Sequence, residues 1–327
     1  GRCSRIRRRI ACCSTWSFRA EHPALVSILV SRLRSVVPQV LRGFAMGSAD
    51  IVPGVSGGTV ALVLGIYERL IAEVRAGAGA LRLLLTGAFA EALAALRRVS
   101  WVWLVSLLVG ILAAIAVLSS LIEELLHTQP VRTAAVFLGL VGGSVVVAWR
   151  TIGAITARYV ATAAVVAIGL FLLLGLRDET EATGAEVVTR SWVIFTLVGA
   201  IAICAMILPG VSGSFILVML GMYTEVLGAV NDRDVVVLLA FALGCAIGLG
   251  VFSTVLNWLL EHHHGLVLSA MVGLMVGSLR VLWPWPGGTG TTRLEWPADD
   301  VVVPVLLVAT AFAVVMVLER VSYATRD

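Results

Sequence analysis

The sequence predicts an all-α polytopic membrane protein made of two inverted repeats, each a re-entrant helical hairpin followed by three transmembrane helices. Three observations carry that expectation. The 327 residues are 59% apolar and 13% charged, with a mean hydropathy of +1.01, where a soluble domain carries roughly 25% charged and 45–50% apolar residues. The apolar residues gather into runs long enough to cross a bilayer, which takes about 20 residues each. Two of those runs are interrupted by one and the same Pro-Gly-Val-Ser-Gly cluster. This pattern excludes a soluble domain, a disordered chain and a nucleic-acid binder, despite the net charge of +4. All 24 basic residues are Arg, a bias of coding composition rather than a binding signature.

Residues 1–35 read as a basic cytoplasmic tail. They include Arg2, Arg5, Arg7, Arg8, Arg9 and Arg19, with no clean apolar segment and cleavage site behind them, so a cleaved signal peptide is not expected. Residues 36–176 form the first membrane repeat and residues 177–327 the second. Uninterrupted apolar runs occupy about 101–121, 131–150, 158–176, 235–259, 266–283 and 301–318. The interrupted runs are about 39–71, broken at Pro53-Gly54-Val55-Ser56-Gly57-Gly58-Thr59, and 192–230, broken at Pro209-Gly210-Val211-Ser212-Gly213-Ser214-Phe215. Pro lacks the amide hydrogen and Gly has little helical preference, so each cluster breaks its helix. The five Cys show no metal-ligand spacing and no disulfide pattern, and no metal or other cofactor is expected. His262-His263-His264 reads as a solvated cytoplasmic loop.

The repeat extends past the clusters. Between 53–67 and 209–223 eight of fifteen positions are identical, including Leu64-Gly65 with Leu220-Gly221 and Tyr67 with Tyr223; Gly43 falls on Gly199. Further on, Gly110 matches Gly244, and Gly139-Leu140-Val141-Gly142-Gly143-Ser144 matches Gly273-Leu274-Met275-Val276-Gly277-Ser278. Basic connections at 72–100 and 150–158 alternate with acidic ones at 122–130, 177–190 and 284–300. The positive-inside rule puts the basic set in the cytoplasm. That alternation holds only if each interrupted run enters and leaves on one side, which makes the second repeat inverted. Both termini are then cytoplasmic. Broken helices meeting inside inverted repeats are the architecture of secondary transporters; a parallel-repeat channel is the structural alternative.

A break followed by a helix leaves free amides carrying about half a positive charge. Ser56, Gly57, Gly58 and Thr59 are therefore candidates to cradle an oxyanion, with Ser212, Gly213 and Ser214 facing them from the other repeat. The competing reading is that the two tips satisfy each other by tight glycine packing. Asp50 stands three residues before Pro53, where its repeat counterpart is Met206. A carboxylate at this depth is costly, roughly 2.5–3.5 kcal/mol, and it is the candidate coupling residue; the alternative is a buried, hydrogen-bonded structural carboxyl. Helix from Val55 to Arg69 would span about 21 Å at 1.5 Å per residue, which carries Glu68 and Arg69 to the cytoplasmic headgroups. Tyr67 and Tyr223 read as interface anchors whose hydroxyls can add a hydrogen bond.

The stretch Met46-Gly47-Ser48-Ala49-Asp50-Ile51-Val52-Pro53-Gly54-Val55-Ser56-Gly57-Gly58-Thr59, continued by Gly65-Ile66-Tyr67-Glu68 and echoed by Pro209-Gly210-Val211-Ser212-Gly213-Ser214, closely resembles the bacterial PopT family. The resemblance covers about residues 36–320. It implies translocation of undecaprenyl phosphate, the lipid carrier of cell-wall precursors, from the outer to the inner leaflet of the cytoplasmic membrane. The expected partners are then a polyprenyl-phosphate lipid and the surrounding membrane lipids. On that footing Arg69 becomes a candidate phosphate contact on the cytoplasmic side, and Arg280, whose repeat counterpart is Val146, one on the outer side. A small-anion or small-solute transporter on the same fold is the nearest alternative. A lipid-phosphate enzyme is a further one, but no His lies in a span and no acidic pair faces the centre, so no catalytic residue is expected.

Overall fold

A computed structural model describes residues 23–51, 56–153, 155–175, 191–213, 216–217, 220–288, 294–297 and 301–324. Among the described residues every regular element is a helix. In chain order these are α1 (Pro23–Asp50), α2 (Gly57–Val63), α3 (Tyr67–Leu85), α4 (Phe89–Arg98), α5 (Trp101–Thr128) and α6 (Pro130–Thr151). There follow α7 (Ala157–Gly175), α8 (Trp192–Ile207), α9 (Tyr223–Asn231), α10 (Val235–Ser278) and α11 (Val302–Ala324). The first helix begins at Pro23, inside the stretch expected to be tail. The 72–100 connection is not an open loop but the helical pair α3 and α4, packed on each other.

Helices α5, α6, α7 and α10 are long and apolar enough to cross a membrane, while α8 and Val302–Val317 are shorter apolar helices. The protein is a multi-pass membrane protein. At 44 residues α10 would be about 66 Å long, twice a hydrocarbon core of about 30 Å. It is two limbs joined at His263, where φ is −135° and the helix turns. The triple histidine is therefore a helix kink and not the solvated loop expected. His262 and His264 keep helical geometry and their rings find partners: His262 Nδ1 lies 2.9 Å from the Trp258 carbonyl and its ring stacks on Trp258. His264 Nε2 lies 2.7 Å from Glu68 Oε1.

Glycine decides which helices approach closely. A Cβ on Gly43 of α1 would fall on the Leu107 carbonyl of α5, and one on Gly110 of α5 on the Val40 carbonyl of α1. Their counterparts do the same: Gly199 of α8 faces Phe241, and Gly244 of α10 faces Thr196. Gly139 and Gly143 of α6 meet Val308, Ala311 and Val315 of α11, just as Gly273 and Gly277 of α10 meet Ala163, Val166, Ala167 and Leu170 of α7. Contacts climb together along both chains, so each of these four pairs runs parallel. The last helix of each sequence repeat thus packs on the middle helix of the other. Small residues let backbones pack where lipid supplies no hydrophobic drive between helices. Gly110→Ala and Gly244→Ala should each destabilise the protein in detergent by about 1–3 kcal/mol, read as a lowered midpoint of thermal unfolding.

The repeated Leu-Gly-x-Tyr is a helix stop. Gly65 has φ +66° and Gly221 φ +63°, the left-handed conformation that ends helices with a backward hydrogen bond. Those bonds run from Ile66 N to Ala61 O at 3.0 Å and from Met222 N to Leu217 O at 2.9 Å. Continuous helix from Val55 to Arg69 is accordingly not what forms. The chain makes the short α2, stops at Gly65 and restarts at Tyr67. Outward faces stay apolar, as Val105, Leu108, Val109 and Leu112 on α5 and Leu239, Leu243, Ile247 and Val251 on α10 are all exposed. Their backbone groups are bonded within the helices, as lipid contact requires.

Candidate functional site

The two interrupted segments meet inside the bundle. Ser56 caps α2, its Oγ accepting from Gly58 N at 3.1 Å, and the same hydroxyl donates to the Met206 carbonyl at 3.1 Å. Gly210 N donates to Thr59 Oγ1 at 3.1 Å. Tyr67 OH donates to the Ile207 carbonyl at 3.1 Å. Ser56, Thr59 and Tyr67 are each 2% exposed. Three side chains of the first segment therefore bind residues 206–210 of the second, closing a polar seam that water does not reach. Tyr67 belongs to this seam and is not the interface anchor expected; Tyr223, at 40% exposed, has no such burial. The contact is tight, since a Cβ on Gly58 would lie 2.9 Å from the Ile207 carbonyl.

Asp50 lies at the last turn of α1, beside that seam. Its Oδ1 accepts from Gly57 N at 2.6 Å. A Cβ on Gly57 would lie 2.6 Å from Asp50 Oδ2 and 2.9 Å from Oδ1, so any side chain there displaces the carboxylate. The carboxylate thus sits against the first amide of α2, the place where an oxyanion would be drawn by the helix dipole.

The remaining candidates lie elsewhere. Gly213 stands against Ala202 and Met206, with Ala202 O 3.3 Å from an added Cβ. Ser212 is half-buried and its carbonyl accepts from Ile216 N at 3.2 Å. Ser214 lies outside the described residues. Arg69 is away from the seam, its guanidinium carbon 4.6 Å from the centroid of the Trp103 ring. It lines a cavity of about 510 Å³ with Gln39, Ser100, Trp101 and Ser106. Arg280 is at the other end of the bundle, 4.7 Å over the Phe171 ring and against Gly175. Its Nε is buried and finds no hydrogen-bond acceptor among the described residues.

Sequence reasoning missed the buried charge of Glu319 and its partner Arg150. Arg150 Nη1 donates to Glu319 Oε2 at 2.8 Å, joining α6 to α11 across 169 positions of chain. Glu319 is 8% exposed. The only sequence signal was a Glu in the last third of the final apolar helix, next to Arg320, which reads equally well as a span end.

Fold and seam define the class: a multi-pass α-helical membrane protein whose two Pro-Gly-broken segments are bonded to each other within the bundle. The chain belongs to the undecaprenyl phosphate translocase-like family, whose model matches residues 46–296. It is 40% identical over 252 residues to a polyprenyl-phosphate transporter of Vibrio cholerae serotype O1, covering 75% of this chain and 77% of that one. It is 30% identical over 271 residues to a polyprenyl-phosphate transporter of Staphylococcus aureus, covering 79% of this chain and 88% of the other. No solved structure matches.

Proposed function

We propose that this protein translocates polyprenyl phosphate, returning undecaprenyl phosphate from the outer to the inner leaflet of the bacterial cytoplasmic membrane. The observation that carries the proposal is the family match across residues 46–296, which includes both Pro-Gly breaks. The test is to label undecaprenyl phosphate at the surface of cells with and without the protein. Accumulation outside when it is absent is the expected result; equal surface amounts would overturn the proposal. The role is transport rather than catalysis, with no reacting group assigned.

The proposed architecture is a pair of inverted repeats with two oppositely facing re-entrant hairpins and cytoplasmic termini. Equivalent glycine pairs in the two halves, the parallel packing of each last helix on the other half, and the matched stops at Gly65 and Gly221 support it. In a cysteine-free background, a single Cys at exposed Gly287 should label from outside, and one at exposed Ala76 should not. Labelling of both from outside would exclude the inverted arrangement.

The phosphate is proposed to pass the hairpin tips, held by Ser56, Gly57, Gly58 and Thr59 from one side and by Ser212, Gly213 and Ser214 from the other. Arg280 meets it on the outer side and Arg69 on the cytoplasmic side. Asp50 is the built-in anion that it replaces at α2. A second reading has a specific observation behind it: the bonds of Ser56, Thr59 and Tyr67 to residues 206–210 equally suit tips that serve only as a closing seam.

A further inference from the structure

A cavity of about 310 Å³ opens beside Thr59, walled by Val60, Val63, Phe137, Leu140 and Val315 and ending at Glu319. It is at the low end of small-molecule pockets, about 300–1,000 Å³. Two of its three hydroxyls spend their protons within their own helices. Ser48 Oγ donates to the Phe44 carbonyl at 2.7 Å, Ser144 Oγ donates to the Leu140 carbonyl at 2.8 Å, and Thr59 Oγ1 accepts from Gly210. Walls of this kind suit a hydrocarbon chain and offer an anion little. Among the lining residues Glu319 alone is charged, and behind it stands Arg150, whose side chain is 55% exposed while that of Glu319 is 6% exposed.

The pair belongs to one half only. Gly143 meets Val315 where Gly277 meets Leu170, so the counterpart of Glu319 is Leu174, which is 2% exposed. The counterpart of Arg150 is Pro284. Helix packing of this type therefore forms without an ion pair, and a buried carboxylate is a weak stabiliser beside a well-packed apolar residue.

We propose that the cavity seats the first isoprene units of a polyprenyl phosphate and that the Arg150–Glu319 pair is its lock. The phosphate monoester takes the Arg150 guanidinium from Glu319, so that ligand binding opens the ion pair. Two planar N–H donors suit a phosphate as well as a carboxylate, which makes the exchange chemically even-handed. The charged groups around Glu319 are Arg150 on α6 and the exposed Arg320 beside it on α11; the cavity-lining residues of α1 and α2 carry no charge. This proposal rests on the transport reading, and the experiment separates the two.

The full-length protein in detergent is titrated with farnesyl phosphate, a short isoprenoid monophosphate, with farnesol and inorganic phosphate as separate arms. Wild type should bind farnesyl phosphate well above either control. Glu319→Gln, which keeps the shape but frees Arg150, should bind it about tenfold tighter, and Arg150→Gln/Glu319→Gln about tenfold weaker than wild type, the scale of one charge-assisted contact. Wild-type affinity in both variants overturns the lock and leaves transport standing. If the double variant does not fold, Glu319→Gln alone decides, and unchanged affinity overturns the lock. Farnesol binding as well as farnesyl phosphate overturns the phosphate exchange, and inorganic phosphate competing equally overturns the lipid assignment. Wild type that binds no isoprenoid phosphate overturns the transport reading together with the lock.

Discussion

Gly57→Val should abolish lipid translocation while leaving membrane insertion intact. The first atom of any side chain at this position would lie 2.6 Å from Asp50 Oδ2, closer than atoms pack, and valine adds two methyls beyond it. The carboxylate must leave the α2 amide, or α2 must move away from the seam. Overpacking of this kind costs about 1–3 kcal/mol, which a multi-pass bundle survives, but the seam bonds of Ser56 and Thr59 depend on where α2 starts. Gly213→Ala is the matched control from the other half. There the nearest atom, Ala202 O, is 3.3 Å from the added Cβ, so a small adjustment suffices and most transport should remain. Surface labelling of undecaprenyl phosphate in cells producing each variant at equal levels checks both. A fully active Gly57→Val protein would reduce the first tip to a packing device.

Asp50→Asn should keep the lipid bound but remove any dependence of transport on a proton gradient. Moving a phosphate inward works against an inside-negative potential, at about 2.3 kcal/mol per charge per 100 mV, so a compensating cation is expected. Asp50 is the carboxylate that holds the α2 amide, through Gly57 N at 2.6 Å. Asparagine preserves an acceptor for that amide and deletes the charge, so the fold should change little. In proteoliposomes, wild type should move lipid faster with an imposed inward proton gradient, and Asp50→Asn at one rate with or without it. Wild type indifferent to the gradient, or a variant that keeps the full response, would make Asp50 a structural cap.

The two carboxylates, Asp50 and Glu319, differ in how readable they were. Asp50 was visible because it stands three residues from a helix-breaking proline in an apolar run and has Met206 as its counterpart. Glu319 was not, because its significance comes from Arg150, a residue on a different helix. An apolar helix that ends in Glu-Arg has an ordinary explanation as a span end. The repeated glycines were legible as a pattern but not as a function. Their spacing does not say that Gly43 touches α5 while Gly139 touches α11.

Hydropathy and periodicity by themselves determined that the chain is helical and membrane-embedded, that it is broken twice by one motif, and that its two halves are related. Those properties are local: a run of 20 apolar residues, or a Pro-Gly pair within one, has much the same consequence wherever it occurs. The motif likewise determined the family. Tertiary structure alone decided that Tyr67 turns inward to Ile207 and that α10 bends at His263 instead of opening into a loop. It also decided that Asp50 fills the α2 amide and that Glu319 faces a cavity with Arg150 behind it. Each of these depends on which backbone lies within hydrogen-bond or ion-pair reach across 7 to 196 positions of sequence. Glycine-mediated helix packing sets that distance, and no single stretch of sequence encodes it.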